Sequence, residues 1–331
     1  MRALSVTLVL APLLALGSTS LFAQQPAPAP RSGQVFISNE RSSQIFVLDR
    51  NDALVGSFAS CARPRGMQFT PDHLQLIVAC GGDNTIAFYD VATRRLVRRF
   101  RDVPDPETFD LAPNGRDLYV SNEDSAEATV INIQTGEVTG HFPTGEEPEG
   151  VLVTPDGRFA FVTSEAANLV HVIDIAAQKI VRDIFVSERP RRFALTPDGK
   201  SLWVSCEIAG VVDVIDVASL TRTKSLSFVP RGMTRADVTP VDIAMNRAGT
   251  RAWVALGRAN NVAVIDIASL EVVDYILVGR RPWGLRLSAD ETKLYVANGL
   301  SDDIAIVDVA RGKVAKVIPV GVIPYAIVID E

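Results

Sequence analysis

Apolar and polar residues alternate along this chain in bursts of five to eight, each closed by Gly, Asp, Pro or Asn. In one stretch the bursts are 149–154, 159–163, 169–174 and 179–186, rich in Val, Ile and Phe. Short runs of β-branched and aromatic residues between turn formers predict β-strands. None of these runs reaches the length of an average helix. The four-burst pattern then recurs. Pro64, Pro106, Pro148, Pro190, Pro240, Pro282 and Pro324 follow one another at steps of 42, 42, 42, 50, 42 and 42 residues. A fixed period of this size marks a repeat architecture whose units cannot bury their apolar faces alone.

Turn chemistry carries the register. Thr70-Pro71-Asp72, Ala112-Pro113-Asn114-Gly115, Thr154-Pro155-Asp156-Gly157 and Thr196-Pro197-Asp198-Gly199 sit at the same offset in successive units. Pro presets φ, and Gly or Asn accepts the left-handed conformation of a tight hairpin. Asp49, Asp90, Asn132, Asp174, Asp216, Asp266 and Asp308 recur once per unit at the end of the third strand. That regularity reads as turn capping by a side-chain oxygen rather than as a ring of catalytic carboxylates.

Seven four-stranded units without a helical pattern predict an all-β fold, a seven-bladed β-propeller of antiparallel blades. Val35 onward matches the second strand of a unit, and Tyr325 onward matches the first. The C-terminal strand is therefore expected to join the N-terminal blade and close the ring, removing two exposed sheet edges. Ahead of the propeller (34–331) lie a secretory signal peptide at 1–23, with Arg2 before an apolar run, and a Pro- and Ala-rich leader at 24–33. The expected compartment is the periplasm.

Leu118-Tyr119-Val120-Ser121-Asn122 and Leu294-Tyr295-Val296-Ala297-Asn298, each followed by a Val-Ile-Asp or similar strand and a Pro-Asp-Gly-like turn, resemble the YVTN-type propeller repeat over nearly all of the mature chain. In overall length and layout the chain is similar to propeller proteins associated with pyrroloquinoline-quinone-dependent alcohol catabolism. That resemblance implies a non-catalytic accessory role beside a periplasmic quinoprotein dehydrogenase or cytochrome.

The formal net charge is -6, with basic residues scattered along the chain, which disfavours nucleic acid and anionic membrane as partners. There is no CxxC or CxxCH among the residues around the three cysteines, so a thioredoxin-like site and covalent haem attachment are disfavoured. Cys61 is the candidate disulfide partner of Cys80, in keeping with an oxidising compartment. His73, His141 and His171 all fall away from the expected channel mouth. That placement disfavours histidine-based nucleophile activation or metal binding there.

Scaffold positions repeat; the two positions after each anchoring Pro do not. They read Arg65-Gly66, Glu107-Thr108, Glu149-Gly150, Arg191-Arg192, Val241-Asp242, Trp283-Gly284 and Tyr325-Ala326. Arg65, Arg191 and Arg192 are candidates to clamp a carboxylate or phosphate. Glu107 and Glu149 are candidates for a cation site or an acid/base pair, and Trp283 and Tyr325 for stacking a ring. Asp242 completes the candidate ligand set, which would take a small anionic ligand. No cofactor is required by this reading, and calcium is the one cation considered. Mutual neutralisation of these charges is the competing reading. The alternative function is a propeller lactonase or other hydrolase, with Glu107 or Glu149 as base and Arg65 or Arg191 stabilising an oxyanion. Second-strand ends add Glu40, Glu123, Glu165 and Glu207, expected as a solvated acidic rim. The 50-residue step inserts eight residues around Val229–Val238, where Arg231, Met233 and Arg235 are expected to form a flap over the mouth.

Overall fold

The computed structural model describes residues 31–331; the expected signal peptide and all but the end of the expected leader lie outside the described residues. Seven four-stranded antiparallel sheets form a seven-bladed propeller. Blades are numbered here from the one that closes the ring, whose strands run in the order Pro324–Ile329, Val35–Asn39, Gln44–Leu48 and Leu54–Ala59. Phe36 pairs with Val328 and Ile37 with Ile327, so the last strand of the chain is the innermost strand of the first blade. Blades two to seven then follow in chain order, with innermost strands beginning at Pro64, Pro106, Pro148, Pro190, Ile243 and Pro282.

The hydrophobic core lies between blades. Phe159 and Phe161 of blade four share a cluster with Leu202 and Val204 of blade five, and Tyr295 and Ile306 of blade seven share one with Val35 and Ile37 of blade one. Each sheet thus buries its face only against a neighbour, which is why the sequence repeats and why the ring must close. Charged groups reinforce the seam between blades seven and one. Asp52 accepts hydrogen bonds from Lys293 Nζ (2.6 Å) and Tyr295 OH (2.6 Å). Asp330, just after the closing strand, accepts from Ser32 Oγ (2.6 Å) and ties blade one to blade two through His73 Nδ1 (2.9 Å).

The repeated polar cassettes act as turn caps. Asp49, Asp90, Asn132, Asp174, Asp216, Asp266 and Asp308 each accept a backbone N–H two or three residues onward, at 2.7–3.0 Å. Thr70, Thr154 and Thr196 donate to Asp72, Asp156 and Asp198 at 2.6–2.7 Å, fixing the first hairpin of their blades. A disulfide joins Cys61 and Cys80, 19 residues apart, while Cys206 is a free, buried thiol.

One irregularity positions everything at the mouth. The innermost strand leaves register with its neighbour between Pro64 and Met67, Pro106 and Phe109, Pro148 and Val151, Pro190 and Phe193, and Pro282 and Leu285. The two residues after the Pro therefore sit in a bulge, which re-aims side chains away from the regular pleat. Neighbouring blades grip this bulge. Ser38, Ser121 and Thr163 hydroxyls donate to the carbonyls of Arg65, Glu149 and Arg191 at 2.9, 2.7 and 3.1 Å. In two blades the following blade's carbonyl comes so near that only glycine fits opposite. A Cβ at Gly150 would stand 2.0 Å from the Arg191 oxygen, and one at Gly284 would stand 2.3 Å from the Tyr325 oxygen.

Since the clash is with backbone, Gly150→Ala and Gly284→Ala should each destabilise the fold by about 1–3 kcal/mol, read as a lower urea midpoint. Midpoints equal to that of the native protein would show that the blades do not pack this tightly.

Candidate functional site

The bulge residues converge at one end of the channel, where six blades contribute to a dense layer of charge. Glu149 lies at its centre and is 4% exposed. Its carboxylate faces Arg191 Nη2 at 3.3 Å and Arg192 Nη2 at 3.0 Å, and accepts a hydrogen bond from Tyr325 OH at 2.9 Å. Arg192 also donates to Tyr325 OH. Arg65 pairs with Glu107 and with Glu40 at 3.3 Å, donates to Tyr325 OH at 3.2 Å, and lies over the tyrosine ring at 4.8 Å. The expected clamp arginines and the expected acid/base glutamates are thus brought together as partners of one another. The neutralising arrangement is the one observed.

Electrostatics follow from that packing. Burial pushes the Glu149 carboxyl up, but Arg191, Arg192 and Arg65 together outweigh it and hold the group down at about 2. Glu107, completely buried, is raised well above the usual carboxylate range, by burial first and then by Glu149, against the pull of Arg65 and Arg63. Burial raises the Tyr325 phenol above its ordinary value, so it stays a neutral donor.

Several members of the layer come from positions that the sequence pattern did not single out. Arg63, Arg189 and Arg281 each precede an anchoring Pro and adopt φ of 54°, 60° and 54°. A residue before Pro ordinarily takes the extended region, and a left-handed backbone turns its side chain inward. Arg63 pairs with Asp105 (3.0 Å) and Glu107 and lies 3.6 Å from Glu123. Arg189 reaches Glu165 (2.8 Å) and Glu207 (3.3 Å), and Arg281 reaches Glu207 (2.8 Å). The signal was present as the same repeat read one place earlier: Arg63, Asp105, Glu147, Arg189 and, after the insertion, Thr239, Arg281 and Ile323.

The acidic rim needs correction at two blades. Glu165 and Glu207 are buried, and Arg191 bridges them at 2.6 and 3.3 Å. Burial, with repulsion from Glu149 and Glu207, lifts the Glu165 carboxyl to about 8 against the attraction of Arg191 and Arg189. The oxygens of Asp105, Glu107 and Glu123 gather within 4.8 Å, a spacing that suits a cation. Arg63 stands among them and supplies that positive charge.

Outside this layer lies a cavity of about 630 Å³, lined by Arg189, Arg258, Arg281, Glu165, Glu207 and Trp283 among others. Trp283 is half-buried, with the guanidiniums of Arg191 and Arg281 over its ring at 5.0 and 4.8 Å. Arg258 is exposed and makes no ion pair among the described residues. The insertion borders this cavity through Ala236, and Thr239 just after it does so too. None of its three expected flap residues lines the cavity: Met233 packs on the apolar cluster of blades five and six, Arg235 Nε donates to the Ala209 carbonyl at 3.0 Å, and Arg231 is exposed. Asp242 also stands apart from the charge layer, accepting the amides of Ile243 and Leu285 at 2.9 and 2.8 Å.

A family model described as a YNCE-like beta-propeller matches residues 108–196. No curated protein matches the chain significantly. Among solved structures, the chain is similar to the periplasmic gluconolactonase of Pseudomonas aeruginosa, with a TM-score of 0.76 at 21% identity over 90% of this chain and 99% of that one. It is similar to Kuenenia stuttgartiensis hydrazine synthase at a TM-score of 0.76 and 20% identity, over 90% and 99% of the two chains. A putative 6-phosphogluconolactonase from Bacteroides fragilis gives 0.75 and 18%, over 90% and 98%. At these identities the likeness is one of fold.

Removing a partner from a buried ion network leaves the opposite charges uncompensated, so Glu149→Ala should cost about 3–5 kcal/mol. The pH dependence has a definite sign. The Glu149 pKa is lowered on folding, so its contribution is full above the ordinary value of 4.5 and is lost as pH falls toward about 2. The stability gap between native protein and Glu149→Gln should therefore narrow between pH 5 and pH 3 in urea titrations. A gap that stays constant would show that Glu149 is not held ionised by its arginines.

Proposed function

We propose that this protein is a ligand-binding propeller whose Pro-anchored mouth takes a small anionic ligand of the sugar-acid type. The observation that carries the reading is the cavity itself. It has a volume suited to a small molecule, Arg258 is unpaired at its edge, and Arg281 stands over Trp283 on its wall. An incoming carboxylate would meet guanidinium donors, while the tryptophan offers an apolar edge to a carbon skeleton. The deeper charge layer is paired within itself and serves as the floor.

The wider setting rests on the sequence resemblance. An exported accessory role beside a quinoprotein dehydrogenase or cytochrome is supported by the N-terminal signal pattern and by the chain's length and layout. Co-purification with such a partner, lost on deleting 230–237, is the measurement that checks it.

A second reading is lactone hydrolysis. Structural neighbours described as gluconolactonase and putative 6-phosphogluconolactonases favour it, as does Glu165, a cavity carboxyl lifted to about 8 and so able to exchange a proton near neutral pH. The bases expected from the sequence suit it less well, because Glu107 and Glu149 are enclosed by their own arginines.

Titration calorimetry with gluconate separates these. Binding should be saturable, and Arg258→Ala or Arg281→Ala should weaken it by about tenfold, as expected when one charge-assisted hydrogen bond is lost. Unchanged affinity in both variants would overturn the binding reading. Turnover of gluconolactone above the spontaneous rate, abolished by Glu165→Gln, would instead establish the hydrolase.

A further inference from the structure

The channel's opposite end holds a second cavity of about 1070 Å³, running from the charge layer to the hairpin turns at Pro71, Pro113 and Pro197. Tyr325 and Arg192, locked together beside Glu149, form the boundary between this space and the mouth. Most charged side chains along it are already matched. Arg192 belongs to Glu149 (3.0 Å), His73 to Asp330 (2.9 Å), and Arg247 faces Glu291 (3.8 Å). Asp242 is held by two backbone amides and Glu331 by the Ala289 amide, and both carboxylates attract Arg286 without pairing with it.

Asp110 and Arg286 are the two left with neither an ion pair nor a close set of hydrogen bonds among the described residues. Asp110, on the innermost strand of blade three, accepts the Val153 amide at 2.8 Å and only a long contact from Gln68 at 3.4 Å. Arg286, on the innermost strand of blade seven, is exposed to the cavity and makes no hydrogen bond or ion pair. Blades three and seven stand on opposite sides of the ring. We propose that this turn-side cavity is a separate binding site for a short zwitterionic peptide, its free ammonium on Asp110 and its free carboxylate on Arg286.

A deep carboxylate with no facing cation keeps an unmet demand for a positive donor, and burial indeed lifts Asp110 to about 6. A guanidinium fork in a confined channel has the complementary demand for a carboxylate. Because the two stand on facing strands rather than side by side, neither can satisfy the other, and a ligand must carry its charges at separated ends. The walls between them are strand backbone and apolar side chains such as Val151, Phe193 and Leu285, which suits a peptide main chain. This site shares no ligand group with the proposed mouth site.

The test is calorimetry with triglycine, N-acetyl-triglycine and triglycine amide. Triglycine should bind saturably, and each blocked analogue should bind at least tenfold more weakly. In Asp110→Asn, which keeps an acceptor for the Val153 amide, triglycine and N-acetyl-triglycine should bind equally. In Arg286→Met, triglycine and its amide should become equivalent. Excess gluconate should leave triglycine binding unchanged. Absence of saturable triglycine binding, equal affinity for all three probes in the native protein, or displacement by gluconate would each overturn the proposal. Failure of gluconate to bind while triglycine does would count against the mouth reading alone.

Discussion

Closure of the ring is the constraint on which the rest of the structure depends. No blade owns a core; each apolar cluster is assembled from two neighbours, as Phe161 with Val204 and Ile306 with Val35. An open row of seven blades would leave one such face bare at each end. Pairing of Pro324–Ile329 with Val35–Asn39 covers both ends at once. Asp52 then ties blade one to blade seven through Lys293, 241 residues away, and Asp330 ties it to blade two through His73, 257 residues away. Once the ring is closed, the innermost strands are forced against one another. Gly150 and Gly284 are the places where a neighbouring carbonyl comes too near for any side chain.

That crowding is also what makes a site. A regular inner strand would alternate its residues between the two adjacent blade interfaces. The bulge after each Pro interrupts this and turns two residues toward the axis. Hydroxyls such as Ser121 and Thr163 then fix the backbone of the next bulge, so Glu149 and Arg191 are set by the blade before them as much as by their own. The charge layer is therefore preorganised by the same contacts that hold the ring.

The repeat made the fold legible because its cues are local. The Pro anchor, the Asp caps and the Thr-Pro-Asp turns each act within a few residues. The bulge positions were legible for the opposite reason: they were the places where an otherwise strict repeat varied. What escaped the sequence was who faces whom. Glu149 meets Tyr325 across 176 residues, and Arg281 meets Glu207 across 74, and no local pattern encodes such pairings. Arg63, Arg189 and Arg281 were hidden by a backbone rule. Left-handed φ before Pro is unusual, so the position before the anchor read as part of the loop rather than as part of the site. Glu165 and Glu207 looked solvated because acidic residues at strand ends usually are; here arginines from blades five and seven cover them.

A buried ion network of this density seldom adds much stability over a well-packed apolar layer, since desolvation of each charge offsets most of the attraction. What it supplies here is a partition. Six arginines, Arg63, Arg65, Arg189, Arg191, Arg192 and Arg281, are interleaved with carboxylates at one depth of the channel. A simple apolar plug would also have closed the bore, but would have offered neither cavity an oriented charge. With the network in place, the two ends of the channel become separate environments: guanidinium-rich on the Pro-anchored side, and with Asp110 and Arg286 outside any ion pair on the turn side. A seven-fold scaffold that could have enclosed a single pore thus encloses two rooms. Their different chemistry follows from which of the bulge and strand positions broke the repeat.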